Sequence, residues 1–569
     1  MIKNLSNLVD LFIQEKEIIF INEEVDPYLE IAEIHRRVIA SGGPALFFSN
    51  VKGSSFPVVT NLFGSQNRIQ LSFGKNPELF VQDIISFLQK PRFNWSLIKR
   101  GLKVGFKKKK ESFELLSSLR ELPLLTSWPE DGGPFITWPT IYTEPPGGGT
   151  GNLGVYRVQR FDDKTTGLHF QIGKGAGFHY YAAEKVNQPL PVAIIVGGPP
   201  ALIMAGVAPL PENIPELLLA SLLQGEKMAL CKPQGSPYRL PAEADFLLLG
   251  EARPHERRLE GPFGDHYGYY SLEHEFPVFH CQKILYKKGA IYPATVVGKP
   301  RQEDYFLGNY LQELLKPVIH MVMPNVKDIW SYAETGFHAL TAARVEERYY
   351  RESMSAAFRI LGEGQLSLTK FLLLTDQPVN LRNFKETLQV ILARFKPETD
   401  LFIFANLSLD TLDYAGPSLN KGSRGVMLGI GEPVRKLPIE YRGPRKARLF
   451  CPGCLVIEGE PVVDASLAAW PLVILVDDAD KTVASEANFL WTAFTRFDPA
   501  SDIYTSSQKV INNHIVFTGP VLIDARMKPS YPKEVLVDEA TEKLVSERWS
   551  SYFPSHNVFM GDSRRADVY

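Results

Sequence analysis

Cysteine is scarce in this sequence, and so are long apolar runs and an excess of charge of either sign. Four cysteines among 569 residues are too few for the disulfide framework of a secreted protein. Lysine and arginine number 62 against 64 aspartates and glutamates, a net charge of −2, which argues against a nucleic-acid partner. No stretch reaches the roughly 18 apolar residues of a membrane span. We therefore expect a cytoplasmic protein.

The N-terminus and the cysteine spacing add two further exclusions. The first 21 residues have acidic and polar residues inside their apolar pattern and lack a small-residue cleavage site, so they are neither a signal peptide nor an anchor. Cys451 and Cys454 form CPGC, which could be half of a zinc site, but Cys231 and Cys281 supply no second pair. We interpret CPGC as a reduced, structural or incidental pair.

The chain is longer than one hydrophobic core usually serves, so we predict a multidomain α+β and α/β protein. Residues 1–115 combine helical spacing with short strands, which predicts a small α/β domain. Residues 116–310 contain short strands between Gly and Pro, typical of a barrel or sandwich, with one helix from about Asn213 to Gln224. Residues 311–440 alternate helices with buried strands, which predicts an α/β domain with a parallel or mixed sheet.

A basic run lies near the first of these boundaries. It consists of Lys99, Arg100, Lys103 and residues 107–110, all lysine. Such a run is typical of a solvated helix or linker between domains. A peripheral contact with a membrane surface is the alternative, and it would suit a substrate with a lipid tail.

The last part of the chain, residues 441–569, repeats an earlier part. The stretch from Thr369 to Phe404 is similar to that from Trp470 to Tyr504, and paired residues within the two stretches are 102 residues apart without a gap. Four pairs carry the repeat: Asp376 and Asp478, Arg394 and Arg496, Pro397 and Pro499, and Asp400 and Asp502. We therefore predict a duplicated βαβ unit, followed by a C-terminal helix from Asp538 to Phe553.

The residues that promise chemistry are concentrated in two segments, GNLGVYR (151–157) and LEGPFGDHYGYY (259–270). Glycines around Gly154 let backbone N–H groups approach a ligand closely. Glu260 and Asp265 are five residues apart across a turn, and Arg157 is a fixed cation. If the segments meet, an arginine between two acids should leave one acid with an ordinary pKa and the other with a raised pKa. That arrangement would suit a proton donor.

These segments resemble the UbiD family of decarboxylases, which use prenylated FMN. Besides N-x-G-x-Y-R and E-G-P-F-G-D, the chain has SWPEDGGPFIT (127–137), LHFQIGKGAGFHY (168–180) and PLPENIPELLLASLLQG (209–225) in the family's order. The similarity extends over roughly residues 10–440. It implies that residues 116–310 form a split β-barrel flavin-binding domain.

The resemblance also implies the ligands. Three residue types suit a hard divalent ion, Asn152, His169 and Glu216, with the first two on consecutive strands, and the family pattern makes them ligands of Mn²⁺ or Mg²⁺. A glutamate in the first turn of a helix is otherwise explained by the helix dipole. Lys370, at a strand start, is either a solvated end or the family's lysine for the cofactor phosphate. The implied cofactor-binding set is Asn152, Leu153, Gly154, Val155, Tyr156, Arg157, Leu168, His169, Glu216 and Lys370, with K⁺ as a further cofactor.

The implied activity is non-oxidative decarboxylation of a small aromatic acid. The resemblance makes Arg157, Glu260 and Asp265 catalytic, with Arg157 orienting the substrate carboxylate, Glu260 holding Arg157 and Asp265 protonating the ring carbon from a raised pKa. His266 is interpreted as a neighbour that supports Asp265. The alternatives are a flavin-binding relative without the chemistry and a non-enzymatic scaffold.

The substrate class is predicted from one stretch. AIYPATVVGKPRQEDYFLG (290–308) is more similar to the menaquinone branch of the family, which acts on dihydroxynaphthoate-type acids, than to the branch for 4-hydroxy-3-polyprenylbenzoate. A quinone precursor is therefore the expected substrate, and a phenolic or cinnamic acid is the alternative.

Two partners are also predicted. A flavin prenyltransferase would supply the cofactor, and a second copy of the chain would form a homodimer or higher homo-oligomer. Residues from about 440 onward, with Leu544, Trp549 and Phe553 as anchors, would provide much of that contact. The alternative is that the second βαβ copy pairs only with the first and the tail caps it.

Overall fold

The computed structural model describes residues 2–89, 99, 101–171, 173–208, 210, 214–299 and 301–564. The chain forms two compact units, one of Met1–Leu314 with Glu534–Tyr569 and one of Leu315–Lys533. No helix within the described ranges combines the length and apolar character needed to cross a bilayer.

The helices of the described chain are, in order, α1 (Leu5–Gln14), α2 (Glu30–Ala40), α3 (Gln66–Phe73), α4 (Asn76–Gln89), α5 (Gly175–Lys185), α6 (Pro200–Val207), α7 (Glu216–Gln224), α8 (Glu303–Val322), α9 (Glu352–Leu361), α10 (Phe384–Leu392), α11 (Pro397–Asp400), α12 (Ala479–Val483), α13 (Glu486–Thr495) and α14 (Glu539–Tyr552). The strands of the first unit are β1 (Ile18–Ile21), β2 (Ala45–Phe48), β3 (Val58–Thr60), β4 (Phe106–Lys108), β5 (Glu114–Leu116), β6 (Phe135–Ile136), β7 (Pro139–Thr143), β8 (Asn152–Val155), β9 (Val158–Gln159), β10 (Thr165–Gly167), β11 (Leu190–Val196), β12 (Met228–Cys231), β13 (Leu240–Pro241), β14 (Phe246–Glu260), β15 (His274–Tyr286) and β16 (Tyr292–Pro293). Those of the second unit are β17 (Val326–Ser331), β18 (Leu340–Val345), β19 (Phe371–Thr375), β20 (Leu401–Ser408), β21 (Lys421–Gly429), β22 (Ala447–Cys451), β23 (Cys454–Ile457), β24 (Leu472–Leu475), β25 (Ile503–Tyr504), β26 (Ser507–Ile511), β27 (His514–Thr518) and β28 (Val521–Asp524).

The N-terminal residues form the predicted α/β arrangement around a sheet in the order β1-β2-β3-β16. Helix α1 begins at an N-cap, Asn4, whose side chain accepts a hydrogen bond from the backbone of Asn7, and its Leu8 and Phe12 are fully buried. The last strand of the sheet, β16, comes from far along the chain and pairs in parallel with β3. The predicted first and second domains therefore share a sheet.

The basic run, predicted to be a solvated helix or linker, is exposed where it is described, with Lys99 in a helical conformation and residues 107 and 108 in a strand. Residues 106–108 form β4, which pairs in parallel with β12. Lys107 and Lys109 form ion pairs with Glu226 and Glu243. These lysines are thus matched by acids on neighbouring segments, an arrangement that composition alone does not show. Arg100 lies outside the described residues.

The centre of the first unit is an antiparallel sheet in the order β10-β15-β14-β11-β7-β8, with β5 also pairing with β15. Within the described residues these pairings follow an open path, so the predicted split barrel stays a prediction. The strands β8 and β10, which we expected to be consecutive neighbours, are at opposite ends of this path. Sequence order misled here because β11, β14 and β15 are inserted between them in the sheet.

The C-terminal helix α14 packs within its own chain. Its Val545 and Tyr552, with the following Phe553, join the buried cluster that includes Ile34 and Val38 of α2. Trp549 also packs against this cluster. Two of the three anchors predicted for an oligomer contact, Trp549 and Phe553, are therefore used inside the first unit, whereas Leu544 is exposed. A helical apolar stripe does not reveal which surface it covers, and here Phe553 is buried and Trp549 partly buried within the chain. The oligomer contact stays a prediction.

The second unit contains two five-stranded mixed sheets with one topology. The first has the order β17-β18-β19-β21-β20 and the second β22-β23-β24-β28-β25. In each sheet the outer pairs are antiparallel and the two inner pairs are parallel. This correspondence is what a duplicated βαβ unit predicts.

Individual hydrogen bonds repeat at the same offset of 102 residues. The Asp400 carboxylate accepts from the backbone N–H of Lys396 at 2.8 Å, and the Asp502 carboxylate accepts from that of Asp498 at 2.6 Å. The helices α10 and α13 begin at equivalent N-caps, Asn383 and Ser485. One buried cluster includes residues of both copies, such as Phe384 and Phe494, so the copies share a core.

Candidate active site

Strand ends of the central sheet place the candidate catalytic residues. Glu260 is the last residue of β14, Arg157 follows β8, and His169 follows β10. Gly167, at the end of β10, lies against Glu260, since a Cβ there would be 3.1 Å from Glu260 Cγ. The two ends of the sheet path thus both approach Glu260.

Arg157 connects the two segments that the sequence singled out. Its Nε donates to Glu260 Oε1 at 2.9 Å, its Nη1 to Asp265 Oδ2 at 2.5 Å, and its Nη2 to Ser271 Oγ at 2.9 Å. The guanidinium carbon lies 4.7 Å from the centroid of the Phe263 ring. Arg157, Glu260 and Asp265 are all buried. The predicted contact of an arginine with two acids is present.

The expected split of the two acid pKa values was wrong. Burial raises the pKa of Glu260, but Arg157 and His169 outweigh it and bring this pKa to about 2. Burial likewise raises the pKa of Asp265, and the hydrogen bond and charge of His266, with Arg157, lower it below its ordinary value. Both acids are stabilised as carboxylates because each has a nitrogen donor besides Arg157.

His266 is the second donor to Asp265. Its Nδ1 lies 2.6 Å from Asp265 Oδ1, and its backbone N–H donates to the same oxygen at 2.7 Å. The turn that holds them is fixed by Asp131, whose carboxylate accepts from the backbone N–H groups of Gly264, Ser127 and Trp128. The SWPEDGG motif thus positions the Asp265 turn.

Two site residues were missed by the sequence analysis. Ser271 accepts from Arg157 and from the backbone N–H of Phe263, and Asp131 holds the turn. The only sequence signal was position, because Ser271 directly follows the segment 259–270 and Asp131 lies in the SWPEDGGPFIT motif.

His169 is oriented by Glu260. Its Nδ1 lies 2.8 Å from Glu260 Oε2, and its Nε2 is 3.4 Å from Gln171 Nε2. Histidines that bind metals usually give their other ring N–H to a carboxylate or carbonyl. The contact with Glu260 therefore fits His169 as a metal ligand through Nε2.

The two other candidate ligands are near each other in the chain's fold. Glu216 begins α7, and its Oε2 accepts from the backbone N–H of Leu153, next to Asn152, at 2.9 Å. Burial raises the pKa of Glu216, and a bound cation would favour its charged form. These observations fit a hard cation. Asn213, our expected start of this helix, lies outside the described residues.

The remaining first-unit residues of the predicted cofactor-binding set lie in β8 or directly after β8 or β10. Leu153 and Tyr156 are buried, and Leu168 is buried beside His169. Gly154 itself is at a crowded position, because a Cβ there would be 2.4 Å from the Tyr156 ring. Val155 packs against an apolar cluster.

Lys370 lies in the second unit and has partners there. It is fully buried, and its Nζ lies 2.7 Å from Asp413 Oδ2 and donates to the carbonyl of Thr495 at 3.3 Å. Burial lowers the pKa of Lys370 and raises that of Asp413. The structure accounts for Lys370 by this ion pair rather than by a solvated strand end, and its role toward a cofactor phosphate stays a prediction.

Sequence comparison assigns the class. The UbiD family, described as 3-octaprenyl-4-hydroxybenzoate carboxy-lyase, matches in three parts: its N-terminal domain over residues 9–88, its Rift-related domain over 104–300 and its C-terminal domain over 305–429. A Chlamydia pneumoniae protein, named as one of the subunits of 4-hydroxybenzoate decarboxylase, is 51% identical over 575 residues, covering 97% of this chain and 98% of its own length. The chain belongs to the UbiD family of carboxy-lyases.

Solved structures agree with this assignment. The vanillic acid decarboxylase of Sedimentibacter hydroxybenzoicus in its closed form has a TM-score of 0.67 at 25% identity, covering 79% of this chain and 95% of that one. The UbiD-class enzyme HmfF of Pelotomaculum thermopropionicum, in complex with FMN, has a TM-score of 0.63 at 22% identity, covering 76% and 94%. An evolved dimeric form of HmfF was solved with prFMN. The protein is thus a decarboxylase of this class, and its multidomain α/β fold is that of these enzymes.

Proposed function

We propose that this protein decarboxylates an aromatic acid with prenylated FMN, and that Arg157, Glu260 and Asp265 are its catalytic residues. The observation that carries the proposal is the buried contact of Arg157 with both carboxylates. A binding module has no need of two acids around one buried arginine. The ligands of the HmfF structures support the choice of cofactor.

Loss of CO₂ from an aromatic ring leaves an electron pair that no side chain can accept, and prenylated FMN supplies the electron sink when bound. The residues of the protein orient the substrate and move protons. Arg157 orients the substrate carboxylate, and Glu260 fixes Arg157 and His169. Asp265 delivers a proton to the ring carbon after CO₂ has left.

We further propose that Asn152, His169 and Glu216 hold Mn²⁺ or Mg²⁺ at the cofactor phosphate. The Nδ1 contact of His169 with Glu260, the hydrogen bond of Glu216 to the backbone next to Asn152 and the raised pKa of Glu216 support it. The approach of both sheet ends to Glu260 supports a central split barrel. Glu216→Ala should release metal and flavin together, because ion and phosphate hold each other. A variant that keeps its flavin absorbance with an unchanged metal content would place the metal elsewhere.

The substrate we propose is a quinone precursor of the dihydroxynaphthoate or 4-hydroxy-3-polyprenylbenzoate type. The stretch at residues 290–308 supports it. A simple hydroxybenzoate is the second candidate, favoured by the names of the Chlamydia and Sedimentibacter relatives. Purified enzyme loaded with prenylated FMN should be offered both classes, together with cinnamate, while released CO₂ is followed by mass spectrometry. Turnover of simple hydroxybenzoates or cinnamate alone would contradict the quinone assignment.

We also propose that the protein receives its cofactor from a flavin prenyltransferase and works as a homo-oligomer. The dimeric HmfF form supports an oligomer by analogy. Since Phe553 is buried within the first unit and Trp549 is partly buried there, exposed residues such as Leu544 are the better candidates for the contact. Light scattering on the full chain tests this, and a monomer at micromolar concentration would contradict it. A membrane contact through the exposed lysines of β4 would appear as sedimentation with anionic vesicles.

A further inference from the structure

The two carboxylate oxygens of Asp265 have different partners, and His266, the partner of Oδ1, is partly exposed to solvent. Oδ2 receives Arg157 Nη1, and Oδ1 receives the backbone N–H and the Nδ1 of His266. The Asp265 side chain is 10% exposed and that of His266 25% exposed. The imidazole is thus in contact with water and with the buried carboxylate at once.

Decarboxylation sets a requirement that the Arg157 cluster does not meet. Each turnover replaces a ring carboxylate by a ring hydrogen, so one proton must enter the site. Arg157 keeps its protons, and the low pKa of Asp265 leaves this group ionised at neutral pH in the resting site. A proton must therefore be delivered to Asp265 from outside.

We propose that His266 is a positioning residue that passes protons from solvent to Asp265 through the contact between its Nδ1 and Asp265 Oδ1. This role rests on the proposed function, since it reloads the acid that protonates the product. In the sequence of steps, the ring carbon forms a C–H bond as the Asp265 O–H bond breaks. The carboxylate then takes the Nδ1 proton of the imidazolium, which leaves a neutral imidazole with its proton on Nε2. Nδ1 of this imidazole then takes up a proton from solvent, which restores the imidazolium.

The other groups around the pair are compatible with a relay. Arg157 contacts Oδ2 of Asp265, whereas His266 contacts Oδ1. Asp304 is near enough for its charge to interact with both His266 and Asp265. The Tyr267 ring lies 5.1 Å from the imidazole centroid. A carboxylate near the imidazole favours the imidazolium form that donates.

The first test needs no cofactor chemistry. Nitrogen-15 NMR of histidine side chains in the full-length protein reports which ring nitrogen carries the proton. We expect Nδ1 of His266 to be protonated in the wild type and its signal to move in Asp265→Asn. His280 pairs with Glu256 at 2.9 Å and is 23% exposed, so its signal serves as the matched control and should not move. A His266 without a proton on Nδ1, or one unaffected by Asp265→Asn, would overturn the proposal.

The second test uses the prenylated-FMN enzyme with its decarboxylated acid. His266→Asn keeps a donor near the Nδ1 position but cannot relay a proton, so kcat should fall by at least about tenfold with KM within about twofold, and the loss should grow as pH rises. Added imidazole should restore part of the turnover of His266→Gly. His280→Gln should keep the wild-type rate. A wild-type pH profile in His266→Asn would refute the relay, whereas absence of turnover in the wild type itself would refute only the proposed function.

Discussion

Arg157 in the first unit and Lys370 in the second are both buried cations, yet the carboxyl groups beside them respond in opposite directions. The pKa values of Glu260 and Asp265 are lowered, whereas that of Asp413 is raised. Burial raises the pKa in all three cases. What differs is the kind of second donor, which is a histidine ring nitrogen for Glu260 and Asp265 and the backbone N–H of Ala415 for Asp413.

Around Arg157, each carboxylate receives a second nitrogen donor, from His169 or His266. Around Lys370, the ion pair is enclosed more completely and the ammonium also donates to a backbone carbonyl. The ionised form of the carboxyl groups beside Arg157 is therefore stabilised, whereas burying the charges of Lys370 and Asp413 carries a free-energy cost. The comparison supports the proposed chemistry of Arg157, Glu260 and Asp265, and the ion pair with Asp413 accounts for the burial of Lys370.

The largest expected effect separates the clusters by activity. Asp265→Asn keeps the shape of the side chain but removes the acid, so turnover should fall by about 10² to 10⁴. CO₂ release by the cofactor-loaded enzyme measures it. The matched control is Glu256→Gln, which alters a carboxylate held by a histidine outside the Arg157 cluster, and it should keep its rate. Near-normal turnover in Asp265→Asn would disprove the proton-donor role.

The second effect separates them by stability. Lys370→Met leaves the Asp413 carboxylate buried without its cation, which should lower the free energy of unfolding by about 3 kcal/mol. The double variant Lys370→Met, Asp413→Leu removes both charges and should recover most of that loss. Urea denaturation gives both values. If the double variant were no more stable than the single one, the pair would not be the reason for the loss.

Sequence reasoning recovered the layout of the first cluster better than its electrostatics. The motif spacing predicted that Arg157 meets Glu260 and Asp265, because motifs record which residues come together. It predicted a raised pKa for Asp265, whereas this pKa is lowered, because the direction of the shift depends on a 2.6 Å contact with His266. Sheet order was likewise hidden, since β8 and β10 are close in sequence but at opposite ends of the sheet path. The repeat was visible because hydrogen bonds such as those of Asp400 and Asp502 require the same residue in both copies.

The pH dependence of stability should have opposite signs in the two clusters. A lowered pKa, as for Asp265, contributes stability above the ordinary value of about 3.8 that is lost as pH falls through the folded-state value. A raised pKa, as for Asp413, costs stability at neutral pH, and this cost is relieved as pH falls toward about 3.8.

Urea midpoints of the wild type, Asp265→Asn and Asp413→Asn between pH 7 and pH 3 test this difference. Relative to Asp265→Asn, the wild type should lose stability below about pH 4. Relative to Asp413→Asn, it should gain stability between pH 7 and about pH 4. Slopes of the same sign for the two variants would contradict the assigned directions.

The smallest expected effect tests whether the second unit unfolds as one body. Asn383 and Ser485 are equivalent N-caps that accept from the backbone N–H groups of Glu386 and Asn488 at 3.2 and 3.0 Å. Replacing either by Ala should cost about 1 kcal/mol. Because Phe384 and Phe494 lie in one buried cluster, both substitutions should shift the same urea transition, and their effects should add in the double variant. The swaps Asn383→Ser and Ser485→Asn keep a capping oxygen and should be nearly neutral. Two separate transitions, each sensitive to only its own cap, would show that the copies fold independently despite their shared core.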